Sequence, residues 1–269
     1  MDDNAKVFTL VEMREMMIDT SGYQMMEEVG EFTGTLEMKA QDKENLPTSE
    51  TITVFTPEEI KIFKDEAFST FSNGKRKYQQ VAAYILMLNT GLRTGEALGL
   101  LNSDIDLENR VMHLNRGVKE ISKRNGVTAE KGREVKVGKL KSATSKRDVP
   151  LNDTAIEMIL DLRKEFYFGE DAPLIPDENG NFTRPVNFRK RYYRILKVAG
   201  IETKGLHSLR HTFATNLVNG IKQADGSIKS LTPRQVADLL GHTTSEITEM
   251  YYVKRDLTKL NGVTDGFEF

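Results

Sequence analysis

Residues 205–213 read Gly205-Leu206-His207-Ser208-Leu209-Arg210-His211-Thr212-Phe213 and hold two of the four histidines in the chain, with an arginine between them. His207 and His211 are spaced i, i+4 and share one face of a helix. Thirty residues after Arg210 comes Leu240-Gly241-His242, and Tyr251 and Tyr252 follow nine and ten residues after His242. Two readings come from these residues alone. A metal could sit between His207, His211 and His242, but the glutamate usual inside such a motif is missing and Arg210 would oppose a cation. A histidine near a helix start is ordinarily a cap or a satisfied core group. That reading weakens when arginines, histidines and a tyrosine recur in ordered short motifs.

Working outward, the pattern is mainly α-helical with a small three-stranded antiparallel sheet. Thr56-Pro57-Glu58-Glu59 starts a helix, with Thr56 as N-cap, Pro57 in the first position and Glu59 closing a capping box. Tyr78–Asn89 reads as a buried helix, ended by Thr90-Gly91-Leu92-Arg93, and Thr94–Leu101 starts another. Val111–Ile121 and Glu134–Leu140 alternate in polarity, and Asp148–Leu151 continues them as a third strand. Asn152-Asp153 caps a helix running to about Phe166. Further helices are expected over 185–199, 208–219, 232–240 and 244–255, with a polar loop over 220–230.

The 269 residues suffice for one large domain or two modest ones. The absence of cysteine excludes disulfides, thiol catalysis and zinc sites built on sulfur. No apolar run is long enough to span a bilayer, and the first residues carry acids where a secretory signal carries bases. A cytoplasmic protein with no membrane partner is expected. The net charge of −2 hides an asymmetry. Residues 1–50 hold 12 acids and 4 bases, whereas residues 116–147 hold 11 bases and 3 acids. Such a segment is either a solvated hairpin or a surface for an anionic polymer. Three parts are expected: an acidic, Met-rich segment and linker over 1–52, a main domain over 53–255, and a tail over 256–269.

The series Thr90-Gly91-Leu92-Arg93-Thr94-Gly95-Glu96, Lys141-Ser142, Arg147-Asp148-Val149-Pro150-Leu151, His207-Ser208-Leu209-Arg210-His211, Leu240-Gly241-His242 and Tyr251 resembles the tyrosine recombinase (phage integrase) family. The resemblance covers about residues 53–255. It implies the catalytic domain of a site-specific DNA recombinase or integrase from a phage or other mobile genetic element. By this likeness Arg93 and Arg210 clamp the scissile phosphate with charge-assisted, bidentate bonds. Tyr251 attacks phosphorus to form a 3′-phosphotyrosine, which conserves the bond energy, so neither metal, ATP nor another cofactor is implied. Lys141 serves as general acid for the 5′-oxygen and His207 as acid/base on the nucleophile side. His242 hydrogen-bonds the phosphate, and Glu96 steadies the site or is an ordinary surface acid.

Family members place the tyrosine nine or ten residues after the Leu-Gly-His histidine, so Tyr252 stays open beside the preferred Tyr251. Lys136, Lys139, Lys146 and Arg147 of the basic hairpin are expected to contact DNA. The implied partners are double-stranded DNA, a homo-tetramer assembled on it, with the tail docking on a neighbour, and accessory DNA-bending or directionality factors. An inactive DNA-binding relative and a nicking-closing enzyme like a type IB topoisomerase are the alternatives. The family's helical core-binding domain is larger than residues 1–52, which are read as a remnant or a truncated part of it.

Overall fold

In the computed structural model the chain forms two compact units, Met1–Thr48 and Ser49–Phe269. The structure describes residues 53–123, 132–139, 146–222 and 227–242, all in the second unit. Its helices are α1 (Pro57–Ala67), α2 (Ala82–Thr90), α3 (Thr94–Gly99), α4 (Asp153–Glu165), α5 (Pro185–Val198), α6 (His207–Asn219) and α7 (Pro233–Leu240). Its strands are β1 (Ile105–Asp106), β2 (Val111–Leu114), β3 (Arg116–Lys123), β4 (Gly132–Lys139), β5 (Arg147–Pro150), β6 (Ile221–Lys222) and β7 (Ile228–Lys229). Among the described residues no helix is long and apolar enough to cross a membrane.

The local signals form the elements they encode. Thr56 Oγ1 accepts from the Glu59 amide while Glu59 Oε2 accepts from the Thr56 amide, a complete capping box ahead of Pro57. Thr232 and Gln235 repeat the device at α7, and Asn152 caps α4. Helix α2 is apolar all round and sits at the centre, packed against α4 and α6. It starts at Ala82 rather than Tyr78. Gln80 adopts φ 57°, and its amide donates to both carboxylate oxygens of Glu165 at the end of α4, so the helix cannot extend back through it. The core around α2 includes an aromatic cluster, in which Phe55, Phe63, Tyr84, Phe188 and Tyr192 pair with ring centroids 4.4–6.1 Å apart.

The small antiparallel sheet is present, with a different membership from the one read off the alternation. β2 is central, pairing with β1 on one side and with β5 on the other. β3 and β4 form a separate hairpin. The stretch expected as one strand from Val111 to Ile121 is divided at Asn115. Its side chain donates to Asp104 Oδ1 at 3.1 Å, and Arg116 pairs with the same carboxylate, which turns the chain from one sheet to the next. Segment 220–230, expected as a loop, carries the short β6–β7 pairing. The helix expected over 244–255 lies outside the described residues.

Two close approaches join α2, α6 and α7. Gly91 ends α2 in the left-handed conformation, φ 65°. A Cβ placed on it would lie 2.5 Å from Phe213 Cδ1 on α6 and 2.7 Å from Leu240 Cδ2 on α7. Gly91→Ala is expected to cost about 2–5 kcal/mol, from backbone strain and overpacking together. Gly74→Ala, at φ 77° but with open space around it, should cost only about 1–2 kcal/mol. Urea unfolding of the two variants checks the difference, and equal losses would mean that the contact at Gly91 gives way freely.

Candidate active site

The site forms where α2 and α7 end and where α3 and α6 begin. Arg210, on the first turn of α6, is 1% exposed. It donates from Nη1 to Gly91 O and from Nη2 to Leu240 O, both at 2.7 Å. Carbonyls at helix C-termini lack intrahelical partners and carry the negative end of the helix dipole, which suits them to hold a cation. α7 ends in Gly241, φ 67°, with the Gly241 amide bonded to Asp238 O and the His242 amide to Ala237 O. This Schellman closure fixes where His242 leaves the helix.

Arg93 caps the start of α3. Its amide donates to Glu96 Oε2 at 2.9 Å and its Nη1 to Glu96 Oε1 at 2.8 Å, with the side chain one-third exposed. Glu96 is buried and also receives Arg147, from Nη1 to Oε1 at 3.2 Å and from Nη2 to Oε2 at 3.1 Å. Burial acts to raise the Glu96 pKa. Arg147, then Arg93 and Arg210, outweigh it and hold the carboxyl at about 2. Glu96 is thus the anionic centre of the cluster.

His207, at the first position of α6, presents an exposed ring, edge to face with that of His211 at 4.8 Å between centroids. Partial enclosure, then His211 and the charges of Arg210 and Arg93, push His207 below the ordinary imidazole value, and its exposed edge softens that effect by screening. His211 is held at about 4 by burial and by Arg210. His242 is held at about 3 by burial and by Arg210, Arg93 and Arg147. All three imidazoles are therefore neutral near pH 7 and available as proton acceptors. α6 is anchored from behind: Thr212 Oγ1 accepts from the Phe55 amide at 2.9 Å, and Lys204 pairs with Glu59 at 2.8 Å.

Arg93, His207, Arg210 and His242 thus converge, with Glu96, Arg147 and His211 among them. Lys136 on β4 and Lys146 ahead of β5 are exposed. Lys139 belongs to β4, but its side chain, like Lys141, Tyr251 and Tyr252, lies outside the described residues. Arg147 points inward, away from the exposed basic surface. Alternation along β5 carries the signal for this, since Arg147 shares a face with Val149, which is 2% exposed. His211 joins the cluster because the i, i+4 spacing stacks it over His207.

The sequence pattern of the phage integrase family matches residues 54–258. A tyrosine recombinase XerC-like protein of Caldanaerobacter subterraneus subsp. tengcongensis is 30% identical over 217 residues, 73% of this chain and 52% of that protein. The transposase of transposon Tn916 from Enterococcus faecalis is 26% identical over 219 residues, 74% of this chain and 47% of that protein. The chain spans about half the length of these curated relatives. Among solved structures, the Tn1549 transposon integrase in complex with transposon right end DNA shares the fold at a TM-score of 0.62 and 19% identity, over 92% of this chain and 75% of that one. XerA recombinase does so at 0.51 and 19%, over 92% and 72%.

The depressed imidazoles make acid stability a readout of the site. Their folded-state values lie below the ordinary 6.5, so the unfolded chain binds protons first as pH falls. Stability is full above about pH 6.5 and is lost progressively below it, toward the folded values. Glu96 adds to the loss only below its ordinary 4.5. Urea midpoints at pH 7, 6 and 5 should therefore decline, and a His211→Gln/His242→Gln variant should decline less steeply. Identical slopes in the two proteins would contradict the assignment.

Proposed function

The chain belongs to the phage integrase family, and from that premise we propose that it carries the catalytic centre of a site-specific DNA recombinase. The observation that carries this reading is that Arg93, bonded to the buried Glu96, and Arg210, held by two helix-end carbonyls, lie close enough to His207 and His242 for their charges to act on both imidazoles. Such a site suits an anion that gains charge as it reacts. A phosphodiester is singly negative, and its pentacoordinate transition state concentrates charge on the non-bridging oxygens, where fixed guanidiniums stabilise it most.

In the proposed reaction the Tyr251 oxygen attacks phosphorus. A tyrosyl–phosphorus bond forms, the bond to the 5′-oxygen breaks, and the DNA is left with a 3′-phosphotyrosine and a free 5′-hydroxyl. His207, neutral at working pH, takes the phenolic proton, and Lys141 gives one to the departing oxygen. His242 donates a hydrogen bond to a non-bridging oxygen. The reverse attack by the 5′-hydroxyl of another strand completes exchange without metal or nucleotide. The substrate is double-stranded DNA held along the basic hairpin by Lys136, Lys139 and Lys146. Recombination takes place in a homo-tetramer on DNA, in which the tail docks on a neighbouring protomer, and accessory DNA-bending or directionality factors act on that assembly. The work is done in the cytoplasm.

Nicked suicide duplexes drawn from a randomised pool test the reaction, because loss of a short 5′ fragment traps the covalent adduct. Wild-type protein should yield a denaturant-resistant adduct that peptide mapping places at Tyr251. On the helix expected from the sequence over 244–255, consecutive residues would point about 100° apart, so only one of the two tyrosines would face the phosphate. Tyr251→Phe should abolish the adduct and keep DNA binding, while Tyr252→Phe should keep both. Binding without an adduct, with both tyrosines intact, would favour an inactive DNA-binding relative. Multiple cycles of supercoil relaxation with no strand exchange would favour a nicking-closing enzyme.

The basic surface makes a separate expectation. Affinity for duplex DNA should fall steeply with salt, and Lys136→Ala and Lys146→Ala should each flatten the log–log salt slope by about one phosphate contact. Titrations at several salt concentrations measure this, and slopes equal to wild type would remove these lysines from the interface.

A further inference from the structure

The two arginines of the site are mounted on different supports. Arg93 is held through Glu96 on α3, and Arg210 through Gly91 O and Leu240 O at the ends of α2 and α7. One side chain joins the α3 support to the α7 support. Arg147 grips both oxygens of Glu96 with the end of its guanidinium, at 3.1 and 3.2 Å, and donates from Nε to Leu239 O at 2.8 Å. Its side chain is 8% exposed. Leu239 is the residue before the carbonyl that holds Arg210 and lies three before His242. A guanidinium is planar and rigid, so these bonds fix Glu96 and the end of α7 relative to each other in one plane.

We propose that Arg147 is a positioning residue that sets the separation of Arg93 from Arg210 and His242, a role that rests on the recombinase reading above. It acts within the protein, where its Nε, Nη1 and Nη2 all donate to Glu96 or to Leu239 O, and the salt slope below separates this role from a phosphate contact. Its charge also leaves Glu96 shared between two arginines, so that the carboxylate does not cancel Arg93 alone. Lysine in its place keeps the charge but has no fork, and can satisfy Glu96 or Leu239 O but not both.

The test uses Arg147→Lys in the full chain on a nicked duplex to which wild type couples covalently. Single-turnover adduct formation at saturating DNA should fall about 10²-fold, the scale expected when reacting groups are misplaced by an ångström. Affinity for the same duplex and its salt slope should stay at wild-type values. A 5′-bridging phosphorothiolate should not restore the rate, because the leaving group is not what Arg147 serves. Glu96→Gln alone should reproduce this pattern of rate loss without affinity loss, which keeps the test open if Arg147→Lys does not fold. The double variant should lose little more than either single one, because both act on the same link.

Weaker binding with a flatter salt slope would make Arg147 a phosphate contact. Additive losses, rescue by the sulfur substrate or a wild-type rate would each also overturn the proposal. Wild-type protein that binds such duplexes but forms no adduct would overturn the recombinase reading, and this role with it. A wild-type adduct with an unaffected Arg147→Lys rate would overturn the role alone.

Discussion

Three guanidiniums drawn toward one point repel one another. At an effective dielectric near 20, two unit charges about 4 Å apart interact by roughly 4 kcal/mol. The buried carboxylate of Glu96 offsets this by bonding Arg93 and Arg147 directly and by lying within the field of Arg210. Main-chain carbonyls do the rest: Gly91 O and Leu240 O receive Arg210, and Leu239 O receives Arg147. The helices are arranged to supply them. α2 and α7 point their C-terminal ends at the cluster, and α6 presents its first turn.

The arrangement also decides protonation. Burial, and after it the neighbouring cationic charges, lower the imidazoles of His207, His211 and His242 and keep them neutral. Fixed positive charge beside a neutral imidazole weakens it as a base until an anion arrives. On the reading proposed above, the charge of a bound phosphodiester would act in the opposite direction and raise the imidazoles toward their ordinary values, coupling binding to proton affinity.

Much of this was legible in the sequence. Thr56 and Asn152 announced their helices through caps, and Gly91 marked the end of α2 because a left-handed residue was needed there. Arg93, His207, Arg210 and His242 stood in ordered motifs, so the sequence singled them out. The division of the strands was not legible. Whether Val111–Ile121 is one strand or two depends on Asp104, a residue several positions earlier that binds Asn115 and Arg116. The start of α2 was hidden similarly, because the carboxylate that stops it at Gln80 belongs to Glu165. Composition placed Arg147 with the surface bases of its segment. Its inward direction follows from the two-residue period of β5, a local signal that the charge count masked.

α6 and α7 run antiparallel: Arg210 reaches Leu240 O at one end, and the Leu231 amide bonds Leu217 O at the other. The β6–β7 hairpin that joins them therefore lies about 18 Å from His207, the length of twelve helical steps. Ile221 and Ile228 on it are exposed, so the core does not depend on them. That distance makes the hairpin a natural handle. A fluorophore or an affinity peptide placed there would report on the protein while leaving the arginine and histidine cluster at the far end of α6 undisturbed.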